Sequence, residues 1–159
     1  MPATGKAGIP LPMDPTPKSE SCSRVLCVDL DDTVLLTDMV FESACLLLRQ
    51  APLSALMIPL WLTRGRASLK HEIAQRIKIN AASLPYNQEV MSFLQEEKAN
   101  GRRIILATAC DQRLANDISS HLGLFEEVIA SDGSLNLKGP KKKQVLEERF
   151  GENNFDYIG

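Results

Sequence analysis

Short apolar runs alternate along the chain with segments in which apolar positions recur at helical spacing. The runs are too short for helices and predict buried strands at 24–29, 103–108, 128–130 and 155–158. Helical spacing and helix-boundary residues predict helices at 38–50, 85–100, 111–122 and 140–150. Strands that alternate with helices favour an α/β fold with a parallel, Rossmann-like sheet. Ligands of such sheets bind at the carboxyl ends of the strands.

The alternation stops between Ser43 and Leu84, where the pattern is helical and contains no predicted strand. This interruption predicts a helical cap, or lid, at 43–84, inserted into a core made of 23–42 and 85–159. The first 20 residues contain five prolines and no continuous apolar stretch. We therefore expect a disordered, proline-rich leader at 1–22.

Part of the predicted cap, 51–63, is almost wholly apolar and reads APLSALMIPLWLT. This stretch is too short to span a bilayer, which requires roughly 20 residues. One interpretation is a helix pair that is buried or lines the lid. The other is a surface patch that faces a membrane or a partner. We favour the first interpretation.

Composition narrows the possible functions. Hydrophobic residues make up 44% of the chain and charged residues 24%, as in an ordinary globular protein. A net charge of -2, with one Trp, two Tyr and five Phe, argues against nucleic-acid binding. The cysteines, Cys22, Cys27, Cys45 and Cys110, show neither zinc-like spacing nor a disulfide framework. We expect a reducing, cytoplasmic setting.

The strongest chemical signal is the run Asp29-Leu-Asp31-Asp32-Thr33, directly after the first predicted strand. Carboxylates clustered on a tight turn repel one another unless a cation or a shared proton offsets them. Mg²⁺ prefers oxygen ligands and is usually held by one or two carboxylates together with substrate phosphate. The run therefore predicts a magnesium-dependent phosphate site, and the alternative is a solvated acidic turn.

This run, with further matches along the chain, resembles the first motif of the haloacid-dehalogenase-like (HAD) superfamily of phosphohydrolases. The resemblance implies that Asp29 attacks phosphorus to form an aspartyl-phosphate and that Asp31 acts as its acid/base partner. It implies that both residues face Mg²⁺ and that Thr33 contributes to substrate binding. The family most often has glycine where Asp32 stands, a departure that adds a charge beside the site.

Two later segments match further motifs of the family. Thr108 ends the second predicted strand and matches the residue whose hydroxyl binds the transferred phosphoryl group, with Ala109 beside it. Lys138 precedes a Gly-Pro junction and matches the lysine that offsets the negative charge of nucleophile and phosphoryl group. The resemblance thus adds Thr108, Ala109 and Lys138 to the candidate site.

Other charged residues allow less specific predictions. We expect Lys141, Lys142 and Lys143 to form a solvated face, because the helix macrodipole disfavours cations in a first turn. His71 and His121 lack metal-ligand spacing and are predicted to be surface or packing residues. The cap also carries cations that would either form an exposed helix face or contact a phosphorylated or anionic-lipid substrate. These are Arg64, Arg66, Lys70, Arg76 and Lys78.

The HAD resemblance covers roughly Arg24 to Gly159, and a narrower resemblance rests on shorter phrases within it. The helical insert is similar to the lid of phosphoserine-phosphatase-type members. The phrases LPYNQEV, LATAC and SDGSLNLKG look like the HAD domain at the N-terminus of some UbiA-like membrane prenyltransferases. The acidic metal ligands of the family's fourth motif are expected directly after Gly159. We expect the chain to be a fragment, and the alternative is a short protein with an impaired metal site.

Two function hypotheses follow. The first is a Mg²⁺-dependent phosphomonoester hydrolase acting on a small phosphorylated substrate such as a prenyl or sugar phosphate, with little or no activity in the chain as given. The second is a non-catalytic or regulatory domain fused to, or neighbouring, a membrane prenyltransferase domain. The second hypothesis would make the otherwise cytoplasmic protein membrane-associated.

Overall fold

The computed structural model describes residues 24–159, so the predicted leader lies outside the described residues. Within that range the strands form one four-stranded sheet of order β3-β2-β1-β4, and every neighbouring pair is parallel. Strand bounds are Val25–Val28 for β1, Ile104–Asp111 for β2, Glu127–Ser131 for β3 and Phe155–Ile158 for β4. The predicted α/β fold with a parallel sheet is confirmed.

Seven α-helices pack around the sheet in the described region. They are α1 (Met39–Gln50), α2 (Pro52–Ala55), α3 (Ile58–Thr63), α4 (Arg66–Ala74), α5 (Gln88–Ala99), α6 (Gln112–Leu122) and α7 (Pro140–Phe150), with a short 3₁₀ turn at Ala81–Ser83. The predicted insert is helical as expected, and α1 crosses its predicted boundary between residues 42 and 43. No helix within residues 24–159 combines the length and apolar character needed to cross a membrane.

Local signals in the sequence account for most helix ends. The Asp111 carboxylate accepts a hydrogen bond from the Arg113 backbone N at 3.0 Å and caps α6. Gly123 ends the same helix with φ +61°, a conformation that favours glycine. The start of α5 differs from the prediction, because Asn87 caps a helix that begins at Gln88 and Pro85 lies before it.

The core has two layers because successive strand residues point to opposite faces of the sheet. On one face Leu26 and Leu106 pack in a cluster that also contains Ile118 of α6. On the other face Cys27 and Ile105 pack in a second cluster, which includes residues of α7. Burial on both faces fixes the carboxyl ends of β1 and β2, where the predicted site residues lie.

The apolar stretch at 51–63 forms the predicted pair of helices, but most of its large apolar side chains are exposed. Within α2 and α3 only Trp61 is buried, whereas Leu53 and Leu56 are 81% and 77% exposed. Ala55 and Ile58 pack against the core from the inner side of the same stretch. Hydrophobicity alone could not distinguish a buried helix pair from an exposed patch, and the structure gives the stretch a packed inner side and an exposed outer side.

Candidate active site

The candidate site is a cavity of about 850 Å³ at the carboxyl ends of β1 and β2. Asp29 follows β1 directly, and its backbone N donates to Ile158 O of β4 at 2.8 Å, which extends the sheet to this residue. The chain then turns over Leu30–Val34, closed by a bond from Leu35 N to Leu30 O at 2.9 Å. Asp29, Asp31 and Asp32 all line the cavity.

The Asp29 carboxylate is held by three donors. Its Oδ1 accepts a hydrogen bond from Leu30 N at 2.8 Å. Its Oδ2 accepts from Lys142 Nζ at 2.5 Å and from the Tyr157 hydroxyl at 3.0 Å, and Lys142 also donates to that hydroxyl at 3.0 Å. Asp29 is therefore fixed in orientation at the wall of the cavity.

Lys142 is the cation that contacts the candidate nucleophile, and its predicted solvated position is wrong. The residue is only 7% exposed. Burial lowers the pKa of Lys142. The hydrogen bonds to Asp29 and Tyr157 raise it by a larger amount, so the pKa of Lys142 lies above its usual value. Lys142 thus stays charged at neutral pH, and the carboxylate offsets the unfavourable position at the start of α7.

Lys138, the lysine chosen from the sequence, lines the same cavity but is exposed. The four-residue spacing between Lys142 and the buried Leu146 was the available signal for Lys142, because such residues share a helix face. Lys141 and Lys143 are exposed, as predicted. Tyr157 was missed because the sequence shows only that it belongs to a strand.

Asp31 lies in a different environment from Asp29. Its Oδ1 accepts a hydrogen bond from Met39 N at 2.8 Å, which joins the turn to the start of α1. Burial raises the pKa of Asp31, the Met39 bond opposes this, and the nearby charges of Asp38 and Asp29 add to the rise. A carboxyl group whose pKa is raised keeps its proton more readily, which suits a general acid.

The candidate phosphoryl-binding residues lie beside these carboxylates. Thr108 is fully buried, and its Oγ1 accepts a hydrogen bond from Cys110 N at 3.0 Å, so its O–H group is still a donor. Ala109 lines the cavity, whereas Thr108 and Thr33 are buried outside the described cavity lining. The structure brings Ala109 to the cavity and leaves the roles of Thr108 and Thr33 as predictions.

Some cations of the predicted cap line the cavity, where they could contact an anionic substrate, and others do not. Arg66 and Lys70 line the cavity, and Lys70 Nζ donates to Ala109 O at 2.7 Å. Arg76 instead bonds Glu72 at 2.6 Å and lies over the Trp61 ring. Arg66 and Lys70 can therefore face an anionic substrate, whereas Arg76 stabilises the cap itself.

His71 joins α4, in the predicted cap, to the end of β2. Its Nδ1 lies 2.9 Å from Asp111 Oδ2, and its Nε2 lies 2.7 Å from Gln75 Nε2. The predicted surface or packing role omitted this contact, because His71 and Asp111 are 40 residues apart in the sequence. With the neighbouring Lys70 contact, it holds α4 against the end of β2.

The structure is similar to several solved structures. A HAD-family hydrolase from Salmonella enterica serovar Typhi matches with a TM-score of 0.57 and 15% identity, over 89% of this chain and 57% of that one. Substrate-bound phosphoserine phosphatase matches with a TM-score of 0.53 and 12% identity, over 84% and 73% of the respective chains. The chain has the HAD fold. A phospho-aspartyl intermediate analogue of phosphoserine phosphatase shares the HAD fold with a TM-score of 0.52 and 16% identity, over 84% and 74%.

Sequence comparison adds one relative. An uncharacterised protein of Sinorhizobium fredii, y4nM, is 38% identical over 135 residues, which cover 84% of this chain and 26% of that protein. The chain thus spans about a quarter of the length of this curated relative. No family model matches the chain. The narrower resemblance to UbiA-associated HAD domains stays a prediction.

The structure explains why a glycine suits position 32 of this HAD fold. Asp32 has φ +55° and ψ +11°, in the left-handed region, which disfavours residues with a side chain. Aspartate is among the residues that tolerate this conformation best. The departure from the usual glycine is therefore compatible with the turn, and its cost is a modest backbone strain.

This strain gives a test at Asp32. We expect Asp32→Gly to raise the free energy of unfolding and Asp32→Ala to lower it, each by about 0.5–1 kcal/mol, because only glycine relieves the strain. Urea unfolding of the three proteins under one set of conditions measures both changes. The opposite order of stabilities would show that backbone conformation does not limit the choice of residue here.

Proposed function

We propose that the chain is a Mg²⁺-dependent phosphomonoester hydrolase domain that acts through an aspartyl-phosphate on Asp29. One observation carries the proposal: an ionised Lys142 fixes the Asp29 carboxylate at the cavity wall, while burial favours the protonated form of the neighbouring Asp31. A carboxylate bonded to a cation can serve as the nucleophile, and a neighbouring carboxyl group whose pKa is raised by burial can serve as the acid.

The first half of the reaction forms the aspartyl-phosphate. A carboxylate oxygen of Asp29 attacks phosphorus, and the bond from phosphorus to the ester oxygen breaks. Asp31 gives its proton to that leaving oxygen, so the product leaves as an alcohol. Lys142 reduces the repulsion between the Asp29 carboxylate and the incoming phosphate.

The second half releases phosphate. Asp31, now ionised, takes a proton from a water molecule as the water oxygen attacks phosphorus. The bond between phosphorus and the Asp29 oxygen breaks, which regenerates the Asp29 carboxylate and the protonated Asp31. We propose that the buried Thr108 hydroxyl and the exposed Lys138 help to hold the phosphoryl oxygens.

Residues 24–159 contain no cluster of three or more acidic, histidine or cysteine side chains that could hold a metal ion, so Mg²⁺ would have to be held jointly with a substrate phosphate. The Asp29 carboxylate and the Asp31 backbone carbonyl would hold the ion, which when bound offsets phosphate charge. Lys142 and Tyr157 already contact Asp29 Oδ2, and the ammonium group opposes a second cation nearby. We therefore expect weak Mg²⁺ binding and slow turnover by the chain as given.

The cavity supports a small phosphorylated substrate. Leu62 and Leu69 of the cap supply apolar walls, and Arg66 and Lys70 supply positive charge beside them. Apolar walls with a few convergent charges are typical of small-molecule sites. A prenyl or sugar phosphate would suit these walls, and the lid over the site would exclude water from the reacting phosphate.

Asp31→Asn tests the proposed division of roles. With p-nitrophenyl phosphate, whose leaving group needs little protonation, the variant should release a burst of about one equivalent of nitrophenol per chain and then nearly stop. Steady-state turnover should fall by about 10²–10⁴-fold, because hydrolysis of the aspartyl-phosphate loses its base. Rapid-mixing absorbance with Mg²⁺ at high protein concentration measures both phases.

An alkyl phosphate provides the matched control, because its leaving oxygen needs the proton. Wild-type formation of the aspartyl-phosphate should slow as pH rises through the raised pKa of Asp31, since only the protonated form donates. Asp31→Asn should give no burst with this substrate. Equal bursts by Asp31→Asn with p-nitrophenyl phosphate and with the alkyl phosphate would contradict the acid role of Asp31. If the wild type showed no turnover at any Mg²⁺ concentration, the proposed activity itself would be contradicted.

A further inference from the structure

The cap carries an exposed apolar surface whose residues are not among those that line the active-site cavity. We define the outer cap face as Leu53, Leu56, Met57 and Leu60, all of which are exposed. Exposed leucines are common singly, but four large apolar side chains within eight residues form a patch. Such patches mark sites of interaction with other proteins or with membranes.

Backbone hydrogen bonds place these residues on one side of the cap. Met57 N donates to Ser54 O at 3.0 Å and Trp61 N donates to Met57 O at 3.0 Å, so helical turns continue from α2 into α3. Positions 53, 56, 57 and 60 have the spacing of one helix face. The inner residues of the same stretch pack against the core.

The charged residues that flank the outer cap face in the sequence are cations. Arg49 precedes the stretch and Arg64 follows it, and both are exposed. From residue 43 to residue 71 the sequence contains four cations and no acidic residue, although the whole chain has a net charge of -2. The stretch that carries the exposed apolar residues therefore has a net positive charge, unlike the chain as a whole.

We propose that the outer cap face binds the surface of an anionic lipid bilayer. Short helices with an apolar face and flanking cations lie in the headgroup region, where leucines enter the acyl boundary and arginines meet lipid phosphates. The Thr63 hydroxyl already donates to Leu60 O at 2.7 Å, so its burial in the headgroup region would not leave this donor unpaired. The proposal is independent of the catalytic one.

Charge complementarity favours a bilayer over a second copy of this chain. A two-fold dimer would place the outer cap face against itself and would bring the arginines of both copies together. Like charges facing each other across an interface oppose association. An anionic bilayer instead complements both the apolar residues and the arginines, and it requires no directional hydrogen bonds from the patch.

Vesicle sedimentation of the 159-residue chain tests the proposal. We expect binding to phosphatidylcholine vesicles that contain roughly one-third phosphatidylglycerol and much weaker binding to pure phosphatidylcholine. Leu53→Ser/Leu56→Ser should weaken binding to the anionic vesicles by about tenfold or more. Arg49→Gln/Arg64→Gln should also weaken it, and added salt should reduce wild-type binding.

Phe93→Ser is the matched control, because Phe93 is an exposed apolar residue on α5 of the core. It should bind vesicles like the wild type, and circular dichroism should show the same fold for every variant. Sedimentation that is absent, independent of anionic lipid, or unchanged by Leu53→Ser/Leu56→Ser would overturn the proposal. A dimer in light scattering that this double variant abolishes would assign the face to a second copy instead.

Discussion

Replacing Asp29 with asparagine is expected to abolish phosphate-ester hydrolysis and to leave the fold intact. The amide has the size of the carboxylate, and its oxygen can still accept the bond that Leu30 N donates. A neutral amide cannot serve as the attacking oxyanion, so turnover should fall by about 10⁴-fold or more. Phosphate release from p-nitrophenyl phosphate with Mg²⁺, followed in parallel with circular dichroism, measures both effects.

Asp117→Asn is the control for this loss. Asp117 is an exposed carboxylate on α6, so the same chemical change there should leave turnover unaltered. An acid-quenched reaction of the wild type should retain phosphate on the protein, and Asp29→Asn should retain none. Wild-type turnover by Asp29→Asn would remove this residue from the nucleophile role.

Lys142→Met is expected to have the second largest effect. Methionine fills a similar volume without the charge, so the Asp29 carboxylate would repel the incoming phosphate. We expect kcat/KM to fall by about 10²–10³-fold. Steady-state kinetics with p-nitrophenyl phosphate measures the change.

Lys138→Met makes the comparison direct, because both lysines line the cavity and only Lys142 bonds Asp29. A larger loss for Lys142→Met than for Lys138→Met would assign charge neutralisation to Lys142. The reverse order would support the lysine chosen from the sequence. Equal small losses would indicate that neither cation offsets the charge of the nucleophile.

Local sequence signals predicted much of the fold and part of the site. The apolar run before Asp29 predicted a buried strand, and β1 spans Val25–Val28. The carboxylates after it were predicted at the carboxyl end of a parallel strand, where the structure places them. These predictions succeed because strand burial and the turn that follows depend on neighbouring residues.

Contacts between distant parts of the chain could not be predicted in this way. Lys142 and Asp29 are 113 residues apart, and the packing of α7 against one face of the sheet brings them together. The neighbouring lysines indicated that Lys142 would be exposed to solvent at the start of a helix. Its contact with Asp29, a residue distant in sequence, determines its buried position instead. Exposure of Leu53 and Leu56 was missed for a related reason, since hydrophobicity does not specify which side of a helix faces the core.

The contacts between α4 and the end of β2 have a consequence for protein engineering. Asp111 uses one carboxylate oxygen to cap α6 and the other to hold His71, so a single core residue serves both a helix end and the cap. Lys70 adds a second attachment through Ala109 O. A chimera that exchanges the cap for that of another HAD-fold protein would need to retain Lys70 and His71. Without them, the grafted cap would lose its fixed position over the cavity.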